Sequence, residues 1–316
     1  MTTPAAPAAG VHLPWARVPV AVRTWAAGLG GGTPSAVRDL AGGFSPGATA
    51  VLEWPGRAVF VKAVGAELNP DSPRLHRREA VISASLPRAR PFPRLLDVYD
   101  DGTWVALAFE AVAGRLPRHP WDPDELHAAT VALGALHDAL TPSPVPSVEP
   151  AARYLRPLFG GWEELAERDD PPAGLDHWAA RNLGRLAELE ARWPEASEGR
   201  TLVHGDIRSD NLLVTAGGVV FVDWPHAAIG TPVFDVIAWA PSVVLEGGPA
   251  PEVLLESHGP SRRADPDVVT ALLAAVSGFF VAHSLRPPPP GLPTLRPFQA
   301  AQGEVALAWL RRRTGW

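Results

Sequence analysis

The segment that most narrows the fold runs from Leu202 to Asp223. Apolar Leu202–Val203 lead into His204–Gly205–Asp206–Ile207–Arg208–Ser209–Asp210–Asn211. Twelve residues after Asn211, Asp223 closes the apolar run Val219–Val222. The order reads as a strand, a loop rich in oxygen side chains, and a hairpin from Leu212–Val214 through Gly217–Gly218 to Val219–Val222. Phosphoryl transfer asks for few covalent partners. It needs a carboxylate to orient and accept the proton of an attacking hydroxyl, and oxygen ligands for magnesium ions that bridge phosphates. Asp206 suits the first role; Asn211 and Asp223 suit the second.

A second constellation lies upstream. The chain has 28 Lys and Arg residues, and Lys62 is its sole lysine. Arginine and lysine differ in shape, hydration and donor geometry, so one retained ammonium points to a specific need. Lys62 falls in the strand run Ala58–Val64, which pairs across Pro55–Gly56–Arg57 with Ala48–Trp54 as a hairpin. Ser72–Pro73 supplies an expected N-cap and first helical proline for a helix over Arg74–Leu86 that stops before Pro87. Glu79 shares that helix's apolar face with Leu75, Ile82 and Leu86. A carboxylate there needs a partner, and Lys62 is the candidate. Gly42–Gly43–Phe44–Ser45–Pro46–Gly47 precedes the first strand of the hairpin, a loop in which Gly43, Phe44 and Ser45 let backbone amides approach phosphate oxygens. Leu95–Val98 and Trp104–Phe109, joined at Asp100–Asp101–Gly102, extend the expectation to a five-strand sheet with one helix.

Helix-like patterns dominate the remainder: Asp122–Leu140, Tyr154–Ala166, Leu175–Trp193, Thr231–Val244, Asp265–Leu285 and Ala300–Arg312. Val268–Leu285 has the length of a membrane span, but Ser277, Gly278 and His283 make it a core helix in this reading. Pro287–Pro290 reads as a rigid connector. Ala113–Gly114 marks an expected boundary between an N-terminal nucleotide-binding lobe, residues 1–114, and a helical lobe, residues 115–316, which holds the catalytic loop and the acceptor site.

The runs LVHGDIRSDNLLV and VVFVDWPHAAIGTPVFDVIAW resemble the aminoglycoside phosphotransferase and choline kinase group. Gly205 stands where protein kinases carry Arg, and Asp223–Trp224 replaces the start of their D-F-G. The resemblance covers nearly the whole chain. It implies an α+β, protein-kinase-like two-lobe fold, with a small antiparallel sheet and one key helix before a larger helical lobe. It also implies ATP as donor, two Mg2+ sites and a small-molecule hydroxyl as acceptor. By the same resemblance Lys62, paired with Glu79, holds the α- and β-phosphates. Phe109–Glu110–Ala111–Val112 occupies the hinge where main-chain groups bind adenine. Asp235 bonds the backbone of the His204–Asp206 loop as structural support, and His204 is a packing residue in that support. His137 belongs on the inner face of its helix, and His226 lies within reach of the site.

Cysteine is absent, which excludes disulfides and thiolate metal sites. That absence, and an N-terminus without a basic start and apolar core, lead to an expected cytoplasmic location with no membrane partner. Up to Gly114, ten Arg and one Lys face nine acids; beyond it, 17 Arg face 25 acids. An acidic second lobe repels nucleic acid and attracts cations, while the same charge on solvated helix faces serves solubility. Three functions compete: a phosphotransferase acting on an aminoglycoside or other cationic, polyhydroxylated acceptor; a metabolic kinase for choline, homoserine or a sugar; and an inactive nucleotide-binding pseudokinase. The full set Lys62, Glu79, Asp206, Asn211 and Asp223 argues against the last.

Overall fold

A computed structural model describes residues 11–40, 46–87, 91–170 and 172–316. Five antiparallel strands, β1 (Ala36–Asp39), β2 (Ala48–Trp54), β3 (Arg57–Gly65), β4 (Leu95–Asp100) and β5 (Trp104–Glu110), lie in the order β1-β2-β3-β5-β4. β2 and β3 meet across Pro55–Gly56, with Trp54 opposite Arg57. Side chains alternate across β5, as strand geometry requires. Trp104, Ala106 and Ala108 pack with Val22 and Ala26 of α1 (Val20–Gly28). Val105, Leu107 and Phe109 face the other way, against Ala80 of α2 (Ser72–Ser85). Lys62 sits opposite Leu107 in the ladder, so it shares the α2 face of the sheet.

The entry to α2 differs from the expected Ser72 cap. Asn69 Oδ1 accepts from the amides of Asp71 and Ser72, both at 3.0 Å, so Asn69 supplies the oxygen and Ser72 is the first helical residue. β1 was not identified in the sequence, and all four of its residues are exposed.

α3 (Pro123–Ala139) is capped by Asp122, whose side chain accepts from the amides of Asp124 and Glu125. The Tyr154–Ala166 pattern is two short helices, Ala151–Tyr154 and Gly161–Ala166, because Gly160 turns left-handed with φ of 108°. The Leu175–Trp193 pattern divides into His177–Arg181 and Leu183–Glu190, and Trp193 opens a further turn, Trp193–Ala196. Helices Val233–Leu245, Pro266–Ser284 and Leu295–Thr314 form the centre of the helical part, where Trp162, Trp239 and Trp309 are fully buried. Burying each such side chain contributes on the order of 2–3 kcal/mol. Pro266–Ser284 is long and apolar enough to cross a membrane, yet 61% of its apolar window is buried against its neighbours. Pro251–Ser257 and Gly259–Arg262 are short helices absent from the sequence reading. The proline connector reaches back to the sheet side: Asn69 Nδ2 donates to Pro290 O at 3.0 Å, and Val11 N to Gly291 O at 3.0 Å.

Two small hairpins position the chemistry. β6 (Thr201–Val203) pairs with β9 (Ala228–Gly230), and β7 (Leu212–Thr215) pairs with β8 (Gly218–Phe221). The loop from His204 to Asn211 leaves β6, and Asp223 follows β8.

Candidate active site

The loop after β6 is held from beneath by one buried carboxylate. The amides of His204 and Gly205 donate to Asp235 Oδ2 and Oδ1, each at 2.8 Å, and His137 Nε2 of α3 lies 2.9 Å from Oδ2. Burial alone raises the proton affinity of Asp235; the His137 bond and the loop amide outweigh it and hold the carboxyl below its ordinary range. The ring of His204 is fully buried, with Nε2 2.9 Å from Val222 O and packed against Trp224. Gly205 has φ of 80°, and a Cβ there would stand 2.3 Å from His226 O. Only glycine fits both constraints.

Asp206 emerges from this loop partly open to solvent. Asn211 Nδ2 donates to Asp206 O at 2.8 Å and to Oδ2 at 3.1 Å. With its amide hydrogens so committed, Asn211 offers its carbonyl oxygen to a cation. Arg208 forks onto Asp210 at 2.9 and 2.7 Å and stands 3.5 Å from Asp206 Oδ1. The loop therefore carries its own cation beside the candidate base.

Lys62 joins the two halves of the site. Its ammonium pairs with Glu79 of α2 and lies 2.6 Å from Asp223 Oδ1. Burial opposes the charged ammonium, but Asp223 and Glu79 override it and raise its proton affinity above the ordinary value. Asp223 is likewise held low against burial, by Lys62. Burial pushes Glu79 up to about 7, with Lys62 offsetting part of the rise. His76, one turn before Glu79, is driven down to about 3 by burial and by Lys62, so it stays neutral. Among the described residues Asp223 is the one non-glycine with left-handed φ, 68°. Such a conformation costs on the order of 1–3 kcal/mol and persists where surrounding contacts fix it; the Lys62 bond is one of them.

Asn211 and Asp223 are the oxygen groups here available to a divalent cation. Among the described residues no group of three or more His, Cys, Asp or Glu is arranged to hold a metal. Magnesium takes one or two protein oxygens and fills the rest of its octahedron with water and phosphate. Asp223 and the free oxygen of Asn211 match that need.

Other expected positions fall as follows. Gly43, Phe44 and Ser45 lie outside the described residues. Phe109 and Glu110 end β5 beside Phe60 and Val59, and Glu110 pairs with Arg94 at 3.1 Å. The chain leaves the ladder at Ala111.

Four side chains join the site without having been assigned to it. Arg78 reaches from α2 to donate to Pro225 O at 2.8 Å and to Ala227 O. Its guanidinium lies 4.0 Å over the Tyr154 ring, and Tyr154 Oη is 3.1 Å from His226 Nδ1. His226 packs against Gly205, and the proton affinity that burial lowers is partly restored by Asp206 and Asp223. Arg208 is the fourth. The sequence showed His226 near Asp223, but nothing in a run of arginines distinguishes Arg78, while its neighbour Arg77 turns outward to Asp100.

Residues 36–272 match a model described as the Phosphotransferase enzyme family. Among solved structures, a thermostable mutant of the aminoglycoside phosphotransferase APH(4)-Ia, in ternary complex with AMP-PNP and hygromycin B, superimposes with a TM-score of 0.63 at 16% identity, over 93% of this chain and 98% of that one. Choline kinase LicA from Streptococcus pneumoniae gives 0.62 at 12%, over 92% and 98%. Amicoumacin kinase hAmiN in complex with AMP-PNP, Ca2+ and Ami gives 0.55 at 12%, over 86% and 88%. A search of curated proteins returns no match.

Proposed function

Because the chain belongs to the Phosphotransferase enzyme family and has the protein-kinase-like α+β fold, we propose that it moves the γ-phosphoryl group of ATP to a hydroxyl of a small molecule. The observation that carries this reading is that Lys62 joins Glu79 to Asp223 while Asn211 ties to Asp206, with the Val222 amide, next to Asp223, donating to Asn211 O at 3.0 Å. Asp206 orients the acceptor hydroxyl and takes its proton as the oxygen attacks the γ-phosphorus. The bond from that phosphorus to the bridging oxygen breaks, and its electron pair leaves with ADP. Lys62, fixed by Glu79, faces the α- and β-phosphates. Asn211 and Asp223 would hold Mg2+, which would neutralise charge on the phosphate oxygens. Phe109, Glu110 and Ala111 form the hinge for adenine, with the lobe boundary after Gly114.

The acceptor in this reading is an aminoglycoside-like or other cationic, polyhydroxylated molecule. Two things support it: the excess of acids beyond Gly114, and the likeness to a protein solved with hygromycin B. A near-equal likeness to a choline kinase favours a second reading, a metabolic kinase of a small alcohol. Purified protein with MgATP, tested against aminoglycosides, choline, homoserine and sugars for ADP release, separates the two. The Asp206→Asn variant serves as the blank. ADP release that no acceptor stimulates refutes both.

A further inference from the structure

The polar network under the catalytic loop does not end at His137. His137 Nδ1 lies 3.1 Å from His258 Nε2, and His258 Nδ1 lies 2.6 Å from Ser261 Oγ. The two imidazoles meet edge to face, with centroids 5.1 Å apart. Asp235, His137, His258 and Ser261 are all buried, none more than 4% exposed. They come from three separate places: the Val233–Leu245 helix, α3, and the turn that opens helix Gly259–Arg262.

The order of hydrogens along this chain follows from its far end. A neutral imidazole has one N–H and one lone pair, so fixing one nitrogen fixes the other. The backbone amide of Ser261 can only donate, and it donates to His258 Nδ1 from 3.3 Å as the cap of its helix. His258 Nδ1 is therefore an acceptor, for the Ser261 hydroxyl as well, and His258 carries its hydrogen on Nε2. That hydrogen meets His137 Nδ1, which must accept it. His137 then carries its own hydrogen on Nε2 and gives it to Asp235 Oδ2. The reverse order would set the Ser261 amide against an N–H and leave Asp235 Oδ2 facing a lone pair. Burial drives His258 down to about 3, which keeps a second proton off its ring.

We infer that His258 and Ser261 are positioning residues for the catalytic loop. They lock His137 in its Nε2–H form, so that Asp235 keeps a donor on Oδ2 while it grips the amides of His204 and Gly205. Asp206, next along the loop, inherits its place from that grip. The kinetic consequence rests on the reading of Asp206 as the base; the order of hydrogens does not.

Two measurements on the full chain test the inference. Side-chain 15N–1H spectra at neutral pH should show hydrogen on Nε2 in both His137 and His258. An Nδ1–H form or an imidazolium at either residue overturns it. Against the acceptor found by the screen, His258→Phe removes the donor to His137 and should lower kcat about tenfold, with the KM for ATP within about twofold of wild type. His258→Gln restores an amide donor and should recover kcat to within about threefold. A Gln variant as slow as the Phe variant, or a Phe variant with wild-type kcat, overturns the positioning role. If His258→Phe does not fold, the spectra of the wild-type chain still decide. A wild type without turnover would sink the proposed function and leave the spectra to judge this inference alone.

Discussion

Replacing Lys62 with methionine removes one cation from between two carboxylates and keeps the unbranched stem. Glu79 is 2% exposed, and the Asp223 side chain 27%. Deleting one partner of a buried ion pair costs about 3–5 kcal/mol, because the remaining charge stays buried without compensation. Solvent at Asp223 screens part of that, so the expected loss is about 3 kcal/mol at pH 8. The loss depends on pH with a defined sign. In the wild type Glu79 already sits at about 7, raised by burial against the pull of Lys62. Without Lys62 its folded-state proton affinity rises further above the unfolded value. The variant's native state then keeps its proton to higher pH, and its stability relative to wild type falls as pH rises through and above 7. At pH 6 Glu79 is protonated in both proteins, and the extra loss shrinks by about 1 kcal/mol, one pKa unit's worth. Urea unfolding of both proteins at pH 6 and pH 8, without nucleotide, reads the two differences. A loss below about 1 kcal/mol, or one equal at both pH values, refutes the account of Lys62 as the cation that makes this carboxylate pair tolerable.

Lys62→Arg keeps the charge but not its shape, and a planar guanidinium does not fit the point between Glu79 and Asp223; kcat/KM for ATP should fall by about tenfold or more, measured by steady-state ADP release. Gly205→Ala places a Cβ 2.3 Å from His226 O at a left-handed residue; turnover should drop by about a hundredfold, since a shift of about 1 Å in the loop is enough for that, and a near-normal rate would show the loop to be tolerant. Glu190 offers the third test: its Oε2 accepts from the amides of Trp162 at 2.8 Å and Glu163 at 3.1 Å, and burial pushes the carboxyl up to about 7. A folded-state value raised above the ordinary one means that wild type loses stability as pH rises through about 4.5–7, whereas glutamine does not titrate. Glu190→Gln should thus gain about 2 kcal/mol relative to wild type between pH 5 and pH 8 in urea melts, and a pH-independent difference would contradict the assignment.

The parts of this fold that periodicity and turn chemistry mark were legible. The β2–β3 hairpin, the Glu79 helix and the core helix Pro266–Ser284 each follow from apolar spacing with a proline or glycine at a boundary. β1 was not, because its four exposed residues carry no alternation of burial. The broken helices around Gly160 and Asn182 read as continuous, since a glycine inside a helical pattern marks a break only when it turns left-handed, as Gly160 does, and Asn182 is no strong breaker. Lys62, Glu79, Asp206, Asn211 and Asp223 were picked out by residue type and spacing; the structure joins Lys62 to Glu79 and Asp223, and Asn211 to Asp206. What escaped was the packing between distant segments. Arg78 reaches a loop 147 residues away, and His137 touches a histidine 121 residues away. No local pattern encodes such pairs; only the crossing of α2 and α3 over the loops does.

The proposed role of Asp206, to orient the acceptor and take its proton, can be tested alone. The direct measurement is steady-state kinetics of Asp206→Asn beside wild type, with the best acceptor and MgATP. Asparagine keeps the size of the side chain and an acceptor oxygen for Asn211 but removes the base. The expected kcat is lower by about a hundredfold or more, with the KM for ATP nearly unchanged, because Lys62, Asn211 and Asp223 remain to hold the nucleotide. A variant that turns over at close to the wild-type rate would contradict it.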